Sequence, residues 1–161
     1  MRIQVSAIGR LKSGPERELA SHYVMRAGVS GRTVGITSIT IVEYAESSAV
    51  TERLRRDEEG SRLLSGVPGG ALAVALDEGG RNLSSSEFAQ MIRAELERGT
   101  SALIFLIGGP DGLSDTVRES ARGGILSLGR MTWPHRLARV MIAEQIYRAV
   151  TILINHPYHR G

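Results

Sequence analysis

Short apolar runs alternate with longer amphipathic stretches along the whole chain of 161 residues. The runs have the length of β-strands, and the stretches between them repeat their apolar positions with a helical period. Two parallel strands need a long crossover between them, and a helix is the usual crossover. The alternation therefore predicts the α/β fold class, as a single domain over residues 1–161 with a mainly parallel sheet flanked by helices.

The predicted elements are bounded by capping and turn residues. Strands are predicted over residues 3–8, 34–44, 71–76, 103–107 and 125–128. Helices are predicted over residues 16–27, 49–64, 84–96, 114–121 and 134–154. Gly28 and Gly99 are expected to end the first and third helices, and Ser84 with Glu87 has the spacing of a capping box. Residues 77–80, Asp-Glu-Gly-Gly, are expected to form a turn after the third strand.

Composition narrows the class of protein. A chain with 42% hydrophobic and 23% charged residues fits a folded domain with its own core. No apolar run is long enough to cross a membrane, and the first residues have the pattern of a strand rather than a secretion signal, so the protein is expected in the cytoplasm. The absence of cysteine excludes disulfides, a thiolate nucleophile and cysteine-ligated zinc. We expect no metal, since His156 and His159 alone make a weak ligand pair.

The C-terminal third is the basic part of the chain. Residues 117–161 contain seven arginines and two glutamates, so this segment carries a charge of +5 against +3 for the whole chain. Such a concentration favours a polyanionic partner, with nucleic acid first among the candidates. A solvated arginine-rich surface without a partner remains the alternative.

Three glycine-containing segments follow predicted strands, at residues 76–80, 107–112 and 128–133. The carboxyl ends of parallel strands share one edge of the sheet, so these segments are expected to converge on a pocket for a nucleoside-like molecule. The Gly-x-Gly-x-x-Gly and Walker motifs are missing, so phosphate is not the expected anchor. The Gly-x-Ser-x-Gly nucleophile elbow is missing as well. The alternative for each segment is that its glycines only form an ordinary turn.

The last predicted helix is apolar on most of its circumference, which indicates a position in the core or at a subunit interface. In a domain of this size, a dimer interface is the favoured use of the surplus apolar surface. Glu144 and Arg148 on this helix are spaced for a local ion pair. The tail after it, residues 155–161, carries two histidines, a tyrosine and an arginine that the helix could anchor beside a site.

Several segments together resemble the RlmH family of ribosomal RNA methyltransferases. They are residues 106–114 (LIGGPDGLS), 131–135 (MTWPH), 143–149 (AEQIYRA) and 155–160 (NHPYHR), and residues 7–12 (AIGRLK) are similar to that family's first strand and turn. The resemblance implies a SPOUT-type α/β domain with a C-terminal trefoil knot, and a homodimer with active sites at the subunit interface. It also implies S-adenosyl-L-methionine as cofactor and methylation of 23S rRNA, at N3 of a pseudouridine in the helix 69 loop of the assembled ribosome.

The resemblance suggests roles for individual residues of this chain. Contacts to the cofactor are expected from Leu76, Gly108, Leu128, Gly129, Arg130, Met131, Thr132 and Trp133. From the chemistry of an imide nitrogen, His159 of the tail is the hypothetical general base, Arg160 stabilises the developing anion, and Tyr158 stacks or hydrogen-bonds. Simple packing is the alternative for Tyr158, and capping of the helix end is the alternative for His156. Contacts to RNA are expected from Arg10, Lys12, Arg136, Arg139 and His156.

Two other functions stay open at this point. A SPOUT-like module that docks on ribosomes without methylating them is distinguished by its failure to bind S-adenosylmethionine. A flavodoxin-like enzyme with a small nucleotide cofactor also fits the α/β pattern, although the missing phosphate motifs count against it.

Overall fold

Five parallel strands and five α-helices make up the part of the chain that the computed structural model describes, which is residues 1–159 with only the backbone of His159. The strands are β1 Arg2–Ile8, β2 Ser38–Tyr44, β3 Leu72–Asn82, β4 Ala102–Ile107 and β5 Ile125–Ser127. The helices are α1 Pro15–Gly31, α2 Glu52–Ser65, α3 Ser85–Glu97, α4 Asp115–Ser120 and α5 His135–Leu153. Short 3₁₀ helices lie at Arg32–Val34 and Pro157–His159. The predicted α/β class with a parallel sheet is confirmed.

The strand order is β2-β1-β4-β3-β5, and every pairing is parallel. β4 lies between β1 and β3, and all six of its residues are buried. A flavodoxin-like sheet has the order 2-1-3-4-5, in which the third strand is the neighbour of the first. The flavodoxin-like alternative is therefore wrong. The trefoil knot that the resemblance implies stays a prediction.

The sheet separates two apolar layers because alternate residues of each strand face opposite sides. On one side, Leu103 and Phe105 of β4 pack with α1, α3 and α5. On the other side, Ile104 and Leu106 pack with α2 and α4. Each of these side chains is almost completely buried, which stabilises the fold by about 2 kcal/mol per residue. The two layers hold the carboxyl ends of the strands in fixed positions.

The first helix is longer than predicted. Gly28 lies inside α1, which continues to Gly31 before the chain enters the 3₁₀ helix and leaves it at Gly35, where φ is 87°. A glycine inside a helix costs only about 1 kcal/mol relative to alanine, and packing of the neighbouring Ala27 in the core outweighs that cost. The predicted helix end at Gly28 is therefore wrong, and β2 starts at Ser38.

The predicted turn at residues 77–80 is a bulge inside β3. Leu76 and Arg81 both pair with Leu126, so the four residues between them loop out while the strand keeps its direction. A methyl group on Gly80 would lie 2.6 Å from the backbone of Leu126, so only glycine fits this close approach. The predicted end of the strand at Leu76 is therefore wrong, because β3 resumes after the bulge and continues to Asn82.

The predicted capping residues of the later helices agree with the structure. Ser84 and Glu87 form the capping box at the start of α3, and the chain leaves that helix through Gly99, where φ is 75°. Pro134 is the N-cap of α5. Within residues 1–159, no helix is long and apolar enough to cross a membrane.

Candidate functional site

A cavity of about 670 Å³ lies at the carboxyl ends of β4 and β5, beside the bulge inside β3. Its walls are residues 76–78, 107–113, 126–129 and 131–135, with the Arg118 side chain reaching in from α4. All three segments that the sequence predicts to converge contribute to this one cavity, so the predicted convergence is confirmed. Seven of the eight residues expected at a cofactor line it, whereas Arg130 is exposed outside the lining.

The turn after β4 forms the floor of the cavity. The Gly112 N–H donates to the carbonyl of Gly109 at 3.0 Å, which folds the turn back on itself. A methyl group on Gly108 would lie 2.5 Å from the Gly112 carbonyl oxygen, so a side chain at this position does not fit. From outside, Arg55 of α2 donates to both carboxylate oxygens of Asp111, at 2.6 and 3.2 Å. These hydrogen bonds lower the pKa of Asp111 and fix the turn.

An ion pair between β3 and α4 forms a second wall. Arg118 donates from Nη2 and Nε to Oδ2 of Asp77, at 2.8 and 3.1 Å. Burial alone raises the pKa of Asp77, but the hydrogen bonds from Arg118 and from the Gly79 N–H outweigh it, so the net shift is downward. The cavity therefore has an ionised carboxylate in its wall at neutral pH.

The loop after β5 closes the third side of the cavity. Thr132 donates to Oε2 of Glu78 at 3.1 Å, which ties this loop to the bulge in β3. Gly129 has a φ of 125° and hydrogen-bonds through both its N–H and its C=O to the hydroxyl of Ser127. Met131 is 71% exposed, so the cavity is open at this side to a ligand or to another chain.

His135, the first residue of α5, is a cavity residue that the sequence reasoning missed. The signal for it was present, because a residue just after Pro134 opens a helix next to the third glycine segment. Burial is the main cause that lowers the pKa of the His135 imidazole, and Arg139 and Arg136 lower it further, against the opposing charge of Glu46. At neutral pH the ring is therefore uncharged and able to accept a proton.

The position of Arg139 differs from the expected contact with RNA. Its side chain has no exposed surface, and it donates to Oε1 of Glu43 at 2.8 Å and to the carbonyl oxygen of Ile8. Burial lowers the pKa of Arg139, and the charge of Glu43 opposes this shift. A fully buried guanidinium does not reach an RNA phosphate, so the expected RNA contact of Arg139 is wrong. The side chain instead fastens α5 to the end of β1.

The turn after β1 places two of the other expected RNA contacts beside α5. The Leu11 N–H donates to the same Glu43 oxygen at 3.0 Å, so the turn is held by the Arg139 ion pair. Arg10 and Lys12 on either side of buried Leu11 are exposed. Arg136 is exposed on the first turn of α5. We call Arg10, Lys12 and Arg136 the basic rim.

Comparison with known proteins identifies the family of this chain. A family model described as "Predicted SPOUT methyltransferase" matches residues 1–159. Three relatives named "Ribosomal RNA large subunit methyltransferase H" align with 100% of this chain and over 100% of their own length. They come from Xanthobacter autotrophicus (49% identical), Rhodopseudomonas palustris (49%) and Rhizobium meliloti (46%). The chain belongs to the RlmH family of SPOUT methyltransferases. The resemblance drawn from the sequence is confirmed.

In this RlmH-family chain, the start of the tail folds back on α5. The Tyr158 hydroxyl donates to Oε1 of Glu144 at 3.2 Å, and its ring lies 4.6 Å from that of Tyr147, centre to centre. Glu144 also pairs with Arg148 at 2.8 Å, as predicted. Burial is the main cause that raises the pKa of the Tyr158 phenol, and hydrogen bonding to Tyr23 raises it further. The phenol therefore keeps its proton.

The described part of the tail does not line the cavity of its own chain. A helix of the length of α5 carries the chain about 28 Å from His135. His156 is exposed, and its Nδ1 accepts a hydrogen bond from the Tyr158 N–H at 3.2 Å. Arg160 and the side chain of His159 lie outside the described residues. Residues 1–159 contain no cluster of three or more metal-ligating side chains.

A second cavity of about 460 Å³ lies between α1, the start of α3 and α5 of this RlmH-family chain. Leu19, Tyr23, Val140 and Met141 line it, and residues 126–129 separate it from the first cavity. A molecule in the second cavity would therefore touch the other side of the loop that forms a wall of the first.

Proposed function

We propose that this chain uses S-adenosyl-L-methionine to methylate N3 of a pseudouridine in the helix 69 loop of 23S rRNA, on assembled ribosomes. The observation that carries the proposal is identity of 46–49%, over the whole length, to proteins named ribosomal RNA large subunit methyltransferase H. The cofactor, the N3 position and the assembled ribosome come from the motif resemblance.

The cavity at the carboxyl ends of the strands suits this cofactor. Its volume of about 670 Å³ lies in the range of small-molecule sites, and S-adenosylmethionine has no phosphate that would require a phosphate loop. Leu76, Leu128 and Met131 offer apolar surface, while Gly108 and Gly129 let the backbone approach a ligand closely. Bound there, S-adenosylmethionine would supply an activated methyl group. The task of the protein is then to position the acceptor.

The basic rim supports an RNA substrate. Arg10, Lys12 and Arg136 are exposed around the turn after β1 and the start of α5, and His135 of the cavity wall lies beside Gly9, the first residue of that turn. Cations at this position would hold phosphates of the RNA with its target base directed at the cavity. Arg130 is also exposed, just beyond the cavity lining, and is better placed for the RNA than for the cofactor.

A homodimer would cover the second cavity. Leu19 on α1 is 44% exposed and Leu137 on α5 is 40% exposed, and the apolar lining between the two helices is open. An isologous contact through α1 and α5 would bury this surface in both subunits. It would also bring each tail toward the cavity of the other subunit, because the tail does not line the cavity of its own.

The tail would then complete the partner's site. Tyr158 anchors it through Glu144, so residues beyond the anchor can reach across the interface. Arg160 would stabilise negative charge on the carbonyl oxygens next to N3, and His156 would contact the RNA. His159 is the tail's candidate for the base, as the sequence analysis suggests, and it lies outside the described side chains.

The test is to incubate the purified protein and labelled S-adenosylmethionine with unmodified ribosomes, with separate subunits and with free rRNA. The methyl group is then mapped by mass spectrometry. We expect methylation at N3 of one helix 69 pseudouridine in assembled ribosomes. Ribosome binding without cofactor binding would favour the non-catalytic docking module, and a methyl group at another site would contradict the proposed specificity. The matched control is His22→Gln, which changes an exposed histidine outside both cavities and should leave methylation unchanged.

A further inference from the structure

We propose that His135 is the catalytic base that takes the N3 proton of the target nucleobase. This inference rests on the proposed function, since it assigns a residue to that reaction. It also goes beyond the sequence analysis, in which His159 is the candidate base.

His135 lies next to both the cavity and the turn that carries Arg10 and Lys12. Its ring lines the cavity, and its Nε2 lies 3.5 Å from the place that a methyl group on Gly9 would occupy. Gly9 starts the turn that carries Arg10 and Lys12, so the imidazole stands between the cavity and the basic rim. A nucleobase held by the rim and directed at a methyl donor in the cavity would lie close to this ring.

The other ionisable side chains of the cavity wall are poorly suited to accept the proton. Asp77 and Asp111 are each held by an arginine, which lowers the pKa of both carboxyl groups. Glu78 accepts a hydrogen bond from Thr132. Arg118 is cationic and paired with Asp77. Among the described residues of this wall, His135 is the one imidazole.

The surroundings of His135 keep it neutral. Arg136 and Arg139 lie on its own helix, and the ring stands at the positive end of the helix dipole of α5. Glu46, from the loop between β2 and α2, is the opposing charge, and its carboxylate faces the same Gly9 turn. Glu43 is occupied by Arg139 and does not pair with the imidazole. The ring is therefore a free base at neutral pH, and Glu46 stabilises the imidazolium after proton transfer.

The chemical step balances with this assignment. The N3 proton moves to the free imidazole nitrogen of His135, the N3 electron pair forms a bond to the methyl carbon, and the methyl–sulfur bond breaks to leave a neutral thioether. The imidazolium then returns the proton to water. No further reactant is needed.

The first measurement does not depend on activity. Isotope-labelled histidines in the cofactor-free protein are titrated by NMR, with and without a hairpin that contains the target pseudouridine. His135 should titrate below the ordinary histidine value of about 6.5, and the hairpin should shift the His135 resonance and leave that of exposed His22 in place. A His135 resonance that the hairpin does not move overturns the proposal.

The second measurement is the single-turnover rate of methylation of intact ribosomes from about pH 6 to about pH 9. His135→Gln should bind cofactor normally and react about 100-fold more slowly at neutral pH. Its rate should then rise by about tenfold per pH unit as hydroxide replaces the lost base, while the wild type and His22→Gln stay level above about pH 6.5.

The pH profiles distinguish the results that would contradict the role of His135. A His135→Gln profile parallel to that of the wild type means a structural role and overturns the assignment. If the rate of His159→Ala rises steeply with pH while that of His135→Gln stays level, the base lies in the tail. That result also overturns the assignment to His135. If the wild-type protein transfers no methyl group to any ribosomal substrate, the proposed function itself fails and the base role fails with it.

Discussion

Arg139 and Glu43 form an ion pair of 2.8 Å in which the guanidinium has no exposed surface. Removing Arg139 leaves Glu43, whose side chain is 26% exposed, without its partner and the Ile8 carbonyl without this donor. Arg139→Met should therefore destabilise the protein by about 2 kcal/mol in denaturant unfolding and should loosen the turn that carries Arg10 and Lys12. The control is Arg136→Met on the same helix, whose exposed side chain should change the stability by less than about 0.5 kcal/mol. Equal effects of both substitutions would contradict the role of the ion pair.

Replacement by alanine is expected to have opposite effects on stability at Gly108 and Gly28. At Gly108, the new methyl group would lie 2.5 Å from the Gly112 carbonyl oxygen, so Gly108→Ala should cost about 1–3 kcal/mol and weaken cofactor binding. At Gly28, inside α1, no atom lies within 4 Å of the new methyl group, so Gly28→Ala should stabilise the protein by about 0.5–1 kcal/mol. Thermal unfolding and calorimetric titration with S-adenosylmethionine measure both. Normal cofactor affinity in Gly108→Ala would count against the cavity as the cofactor site.

The Asp77–Arg118 pair predicts a specific loss of stability in acid. The pKa of Asp77 is lower in the folded protein than in the unfolded chain, so its contribution is fully present above the ordinary aspartate value of about 4. That contribution disappears as the pH falls through the lowered folded value. Asp77→Asn should consequently reduce Tm at neutral pH and flatten its decline below about pH 4. Asp57→Asn, at an exposed position of α2, should keep the wild-type decline.

The basic rim predicts a salt dependence of RNA binding. If Arg10 and Lys12 contact phosphates, replacing each by glutamine should reduce the slope of log affinity against log salt concentration by about one. Arg93→Gln changes an exposed arginine on α3, outside both cavities, and should leave the slope unchanged. Binding of ribosomes or of a helix 69 hairpin over a series of salt concentrations measures this. A slope near zero for the wild type would mean recognition by shape or through ribosomal proteins.

Local patterns predicted the elements, because these depend on neighbours in sequence. The Ser84–Glu87 box and the run of apolar residues in β4 are of this kind. The convergence of the three loops followed from the parallel sheet, in which all strands end at one edge. The insertion of β4 between β1 and β3 depends on long-range pairing and has no local signal. Arg139 had the pattern of a surface arginine, since its burial is decided by Glu43, which lies 96 residues earlier. His135 was missed for the same reason, because its importance comes from the Gly9 turn.

The position of the tail predicts that each site is shared between subunits. A subunit without residues 155–161 keeps its cavity, and Gly108→Val should fill the cavity while leaving the tail intact. Each homodimer should be inactive, since one has no tail and the other has no room for the cofactor. A mixed dimer of the two joins an intact cavity with the partner's intact tail at one of its two sites. It should recover about half of the wild-type methylation of ribosomes. If tails act within their own subunit, every site of the mixed dimer is defective, and its activity should stay at the level of the two homodimers.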